Sequence, residues 1–252
     1  MLRKGLSERG VGVKNGFRMR GGEIARVEGF SDAVFAFAVT LLVVSLEVPT
    51  TFSELLEMMK GFPAFAFGFA LLFWIWYNQY SYFRMYGLED GKTIMLSGML
   101  LFVVVFFVYP LKFLFAYLSK AFSGQEVQTL LPDGTFEAMI HPGQIVPLMV
   151  IYGLGYMAIF GVLALMFRHA LRKRGELELN ELEVFDTRSA IRGHVLNVLI
   201  GALSVGIVLV FGERNAMWSG FVYMLVGPVM TIHGARTGKR RLAFASKRSS
   251  KA

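Results

Sequence analysis

Asp32 occupies the position in this chain that most needs a chemical reason. It ends the run Arg26-Val27-Glu28-Gly29-Phe30-Ser31-Asp32 and opens an apolar stretch, AVFAFAVTLLVVSLEVP, long enough to cross a bilayer. A charge one turn inside such a stretch is costly unless it has a partner or meets water, so it marks a candidate functional group. Two roles suit the Ser31–Asp32 pair. It could line a cation path, or it could clamp the first span to another helix by accepting hydrogen bonds. The clamp is favoured. Trp74, Asn78 and Gln79 fall at the corresponding end of the second apolar run, and indole and amide N–H groups are suitable donors to a carboxylate. Arg26 lies one and a half turns before Asp32 on a different helix face, so it does not easily close an intrahelical pair with it. Its expected partners are Glu23 or groups on another helix.

Further along the same run, Phe37, Thr40, Leu41, Val44 and Val48 stand three or four residues apart and form one helical stripe. Such a stripe could face lipid, a neighbouring helix or a pore, and Thr40 could simply bond back to its own helix. Other chemistry is sparse. There is no His-x-x-x-His pair, no pair of intramembrane acids and no serine-nucleophile motif. His169, His194 and His233 fall near span ends and His141 in a loop, where wet histidines rather than metal ligands are the expectation. With no cysteine, disulfides and thiolate metal sites are excluded. Neither a Thr-Val-Gly-Tyr-Gly filter nor an arginine-rich voltage sensor occurs, which argues against a conventional carbonyl-lined pore.

The elements that must position these residues are apolar spans. The chain is 252 residues long, 55% hydrophobic and only 17% charged, with 24 phenylalanines, a composition that predicts an all-α integral membrane protein. Six runs qualify: about 30–48, 61–80, 93–118, 144–167, 191–211 and 216–233. The first 22 residues are basic and lack the short apolar run of a cleaved signal peptide, so the first span is expected to be retained. Of the 26 lysines and arginines, all but Lys60, Lys112, Lys120 and Arg214 fall in segments that six spans place on one side. The excess of basic residues on cytoplasmic loops then puts both termini in the cytoplasm of a cell-membrane protein. This also accounts for the net charge of +8 without nucleic acid. The expected division is a basic N-terminal segment (1–25), a six-span domain (26–234) and a basic tail (235–252) with no fixed structure. The charged stretch 171–186 is expected to be a helical extension or a cytoplasmic linker.

The spacing Arg26-x-x-x-Phe30-Ser31-Asp32 resembles the signature of the transmembrane-protein-175-type potassium channels. The resemblance continues through Thr40-Leu41-Leu42 to Pro49, and more weakly to Pro63, Phe73-Trp74 and Tyr109-Pro110. In bacterial members of that family four six-span subunits surround one pore, and the first helix lines it. Bulky apolar side chains form the constriction, and the Phe-Ser-Asp motif lies behind the pore wall. The resemblance therefore implies a homotetramer that passes potassium, and other monovalent cations, down the electrochemical gradient with no cofactor and no enzymatic step. Phe37, Leu41 and Val44 would form the constriction, and Thr40 would assist selectivity. Arg26, Phe30, Ser31 and Asp32 would form the helix clamp, with Trp74 and Asn78 as partners. The chain departs from the pattern in carrying Phe37 where Ile or Leu is usual, and in lacking a histidine shortly after Phe73-Trp74. The alternative is a proton-conducting or proton-coupled cation transporter, for which Lys112 beside Pro110 is the nearest titratable candidate.

Overall fold

The structure, a computed structural model, describes residues 12–14, 16–43, 49–122, 127–130 and 134–249. Its helices are α1 (Arg26–Val43), a short α2 (Phe52–Lys60), α3 (Phe62–Tyr86), α4 (Gly91–Phe122), α5 (Ile145–Arg172), α6 (Glu181–Phe211), a short α7 (Ala216–Phe221) and α8 (Val226–Ser249). Two small antiparallel hairpins qualify the all-α expectation: β1 (Val13–Lys14) with β2 (Phe17–Arg18), and β3 (Gln128–Leu130) with β4 (Phe136–Ala138). Four segments are long and apolar enough to cross a membrane: Gly91–Leu118, Ile145–Arg172, Glu181–Phe211 and Glu213–Leu242. The first two expected spans correspond to α1 and α3. The described part of α1 is 18 residues long; α3 has 25, but Trp, Tyr, Asn and Gln lower its mean hydropathy.

Local chemistry sets the helix ends. α3 stops at Gly87, whose left-handed backbone (φ 56°) lets its N–H reach the Phe83 carbonyl. A β-carbon at Gly87 would stand 2.8 Å from the Arg20 carbonyl oxygen. α6 begins ten residues before its apolar run because Asn180 and Glu183 form a capping box: the Asn180 side chain takes the Glu183 N–H, and the Glu183 carboxylate takes the Asn180 N–H. The charged stretch 171–186 thus resolves into the end of α5, a turn and the first turns of α6. The C-terminal tail, expected to lack fixed structure, is instead helical through Ser249. Arg241 pairs with Asp186 (2.8 Å) and Thr237 with Ser189 (2.9 Å), which staples α8 along α6 well past the apolar segment.

α1 buries the face carrying Ser31, Phe35, Ala38 and Leu42 against α3 and α4. Glycines let α5 approach its neighbours closely: a β-carbon at Gly153 would lie 2.2 Å from the Val205 side chain, and one at Gly155 2.0 Å from Phe107. At the end of the bundle near the N-terminal hairpin, Phe17 packs edge-on to Tyr86, which meets Tyr82 at a tilt and Phe167 edge to face. The hairpin is held by Glu183, which is 0% exposed. Its carboxylate accepts from the Arg18 backbone N–H (2.8 Å) and from the Arg20 guanidinium (2.8 Å). A buried acid is stable only when surrounded by donors in this way.

Candidate functional site

The clamp is built where α1 starts beside the last third of α3. Ser31 is 2% exposed; its hydroxyl donates to the Val27 carbonyl (2.7 Å) and receives the Gln79 amide N–H (3.2 Å). One residue on, Asp32 Oδ1 accepts the indole N–H of Trp76 at 2.7 Å. One turn earlier, buried Glu28 pairs with the Arg84 guanidinium. Three polar ties thus run in register between the two helices. The indole is held from the side as well, packed between Phe73 and Tyr80 with ring centroids 5.3 Å from each. A fixed ring makes the N–H a directional donor rather than a mobile one.

The partners differ from those expected. Trp74 turns away from α1 and packs on Phe160, 5.0 Å between centroids, and the Asn78 amide donates to the Trp74 carbonyl within its own helix. The reason is helix phase: Trp74 and Trp76 lie about 200° apart on α3, so only one of them can face Asp32. Arg26 is exposed and makes no ion pair among the described residues; Glu28–Arg84 supplies the charged tie instead. Phe30 is 63% exposed on this subunit, away from the clamp. Sequence reasoning placed Gln79 at this end of the second span but missed Glu28 and Trp76. The available signal was Glu28, one turn before Asp32 and at the same end as Arg84.

The stripe falls on the uncovered side of α1. Phe37 is 55% exposed and Thr40 is exposed, its hydroxyl donating to the Ala36 carbonyl (2.9 Å). Leu41 stands at the edge of that face, partly packed against the core, and Val44 and Val48 lie outside the described residues. The histidines are more structural than wet. His194 is buried beside Phe167 (5.0 Å), because α6 packs closely on α5 at that level. His169 meets Asp90 (2.7 Å) at the α3–α4 turn. Lys112 lies over the Tyr109 ring, 5.7 Å from its centroid. Burial alone would raise the Asp90 pKa, but hydrogen bonds from Thr93, His169 and Lys173 outweigh it and hold the carboxyl below the usual range.

Clamp and stripe both fall inside the stretch that known proteins share. Residues 26–107, from the start of α1 into α4, match the family model of the endosomal/lysosomal potassium channel TMEM175. A protein of Marivirga tractuosa named "Potassium channel" is 42% identical over 235 residues, which is 91% of this chain and 94% of that one. The chain belongs to the TMEM175 potassium channel family. A crystal structure of a variant of the potassium channel MtTMEM175, in complex with a nanobody fusion protein, superposes with a TM-score of 0.76 at 41% identity. The match covers 91% of this chain and all of that one. A protein of Chamaesiphon minutus also named a potassium channel is 35% identical over 104 residues, covering 38% of this chain and 51% of that protein. The family is one of membrane channels rather than enzymes. Asp32, Trp76, Gln79, Glu28 and Arg84 all lie within the stretch that matches the family model.

Proposed function

We propose that this protein is a potassium-permeable channel that conducts passively, built from four copies of the chain with α1 of each facing a central pore. The observation that carries this reading is the uncovered face of α1. In a family of potassium channels, the first helix leaves Phe37, at 55% exposure, and Thr40 exposed on a face that no other helix covers among the described residues, while its opposite face is buried. Six spans with both termini in the cytoplasm follow from the apolar runs and the distribution of basic residues. Rings of Phe37, Leu41 and Val44 form the constriction. An apolar ring offers no ligands to replace the hydration shell of an ion, so it sets a barrier by dewetting. Smaller ions, which hold water more tightly, meet the higher barrier, and Thr40 hydroxyls beside the ring lower it for potassium.

The clamp is a positioning device. Asp32, held by Trp76, and Ser31, held by Gln79, fix the base of α1 so that four constriction side chains meet at one radius. The test is reconstitution into vesicles with a potassium gradient. Flux with no opposing ion gradient, together with a tetrameric mass in detergent, supports the channel. Flux that requires an opposing proton gradient supports the transporter instead.

A further inference from the structure

We infer that the exposed flank of the α6–α8 pair binds the phosphate headgroup of an anionic membrane phospholipid, with the acyl chain lying along α6. The inference rests on the membrane orientation proposed above, which puts this end of the helices at the cytoplasmic leaflet. α6 has two occupied faces. Thr187, His194 and Asn197 point to the α3–α5 side through Tyr86, Phe167 and Tyr156, while Asp186 and Ser189 bond α8 through Arg241 and Thr237. The remaining face carries Arg188, Arg192, Val195, Leu199 and Leu203, all exposed and confined to an arc of about 80°.

The register with α8 is fixed at three points: Asp186 with Arg241, Ser189 with Thr237 and His233, and Asn197 with Met230. In two antiparallel helices so registered, Arg236 and Arg240 fall on the same side as Arg188 and Arg192, with Ile232 on the membrane side of them. All four arginines are exposed, and none makes an ion pair among the described residues. That distinguishes them from Arg241, Arg84 and Arg20, which each hold a carboxylate. Glu181 lies on the same flank but about 10 Å farther from the membrane than Arg188.

The pattern matches a phospholipid in both halves. Four guanidinium groups, a pair spanning about one turn on each helix, stand on this flank, and a guanidinium fork suits phosphate oxygens. Toward the membrane, Val195, Leu199 and Leu203 extend an exposed apolar strip for about 16 Å beyond Arg192. A free phosphate would use the first half only. Basic residues near an anionic leaflet add attraction on the order of a fivefold affinity gain each.

The experiment uses the full chain purified in detergent, with phosphatidylglycerol, phosphatidylcholine and inorganic phosphate as probes. Retained lipid is counted by native mass spectrometry, and the unfolding midpoint is measured alongside. Phosphatidylglycerol should be retained and should raise the midpoint, whereas phosphatidylcholine and phosphate should do neither. Arg192→Gln with Arg236→Gln should weaken phosphatidylglycerol retention roughly 30-fold, about fivefold for each charge. Arg172→Gln with Arg174→Gln, two exposed arginines at the end of α5, should leave it within twofold. Equal loss in both pairs would reduce the effect to general surface charge and overturn the site, as would equal retention of the neutral lipid, or an effect of phosphate matching that of the lipid. Potassium flux in neutral-lipid vesicles reports on the channel separately. A chain that conducts but does not discriminate lipids sinks the lipid site alone. One that holds phosphatidylglycerol through these arginines but conducts nothing sinks the channel reading alone.

Discussion

Replacing Asp32 by alanine should weaken the subunit far more than it alters which ions pass. The Asp32–Trp76 bond is 2.7 Å long, from a ring-locked donor to a carboxylate oxygen. A hydrogen bond to a charged group contributes about 1.5–3 kcal/mol, and a buried donor left without a partner costs about 1–3 kcal/mol. Asp32→Ala should therefore lose about 2 kcal/mol, a roughly 30-fold shift in the folding equilibrium. Trp76→Phe keeps the stacking with Phe73 and Tyr80 but leaves the carboxylate without its donor, so it should cost at least as much. The double variant removes both partners and should cost less than the sum, with a coupling of about 1–2 kcal/mol. The assay is reversible unfolding in mixed micelles for all four proteins, with potassium-over-sodium preference measured on each in vesicles. Additive losses would show that the bond does not act as a clamp. Normal assembly with lost selectivity in Asp32→Ala would move Asp32 into the ion path and refute the assignment.

Phe37→Ala should widen and wet the constriction, so potassium flux rises and potassium-over-sodium preference falls; unchanged flux and selectivity would remove Phe37 from the pore. Gly155→Ala should destabilise the bundle by about 1–3 kcal/mol, because the new methyl meets the Phe107 ring at 2.0 Å, and an unfolding midpoint equal to wild type would contradict that packing. Where the α3–α4 turn meets the end of α5, the pH dependence has two signs. Asp90 is held below its ordinary value, so its contribution is present above about pH 4 and is lost as pH falls below that. Glu176 and Asp90 raise the Lys173 pKa, so its contribution is present below about pH 10 and is lost as pH rises past that. The stability gap between wild type and Asp90→Asn should accordingly begin to narrow as the pH falls below about 4, and a gap of unchanged size however far the pH is lowered would contradict the pairing.

The later spans were legible because α4, α5 and α6 carry long apolar stretches whose ends are marked by charge and by Gly or Pro. The acid that anchors α1 was legible for the same reason: a carboxylate inside an apolar run needs a donor. Which donor it takes was not. Phe73, Trp74, Trp76, Tyr77, Tyr80, Tyr82 and Tyr86 place aromatic rings all round α3, so no apolar stripe fixes the helix phase, and only packing against Phe160 decides which tryptophan turns inward. The helical tail was missed because its residues read as soluble and basic. What orders it is Asp186 on α6, 55 residues before Arg241. The N-terminal hairpin was hidden in the same way, since its anchor Glu183 lies 165 residues from Arg18.

That separation has a consequence for how the chain is made. The tie between Arg18 and Glu183 cannot close until 165 further residues have left the ribosome, which at about 5–20 residues per second takes roughly 8–30 s. The bond between Asp32 and Trp76 spans only 44 residues and can close after roughly 2–9 s. During synthesis, then, α1 is joined to α3 first and its upstream arm waits. The arm is locked down only after α5 has emerged and α6 has begun to follow it. The hairpin on Glu183 is a late seal on the nascent chain: it reports that the second half has arrived, and it does so at the root of the helix assigned to the pore.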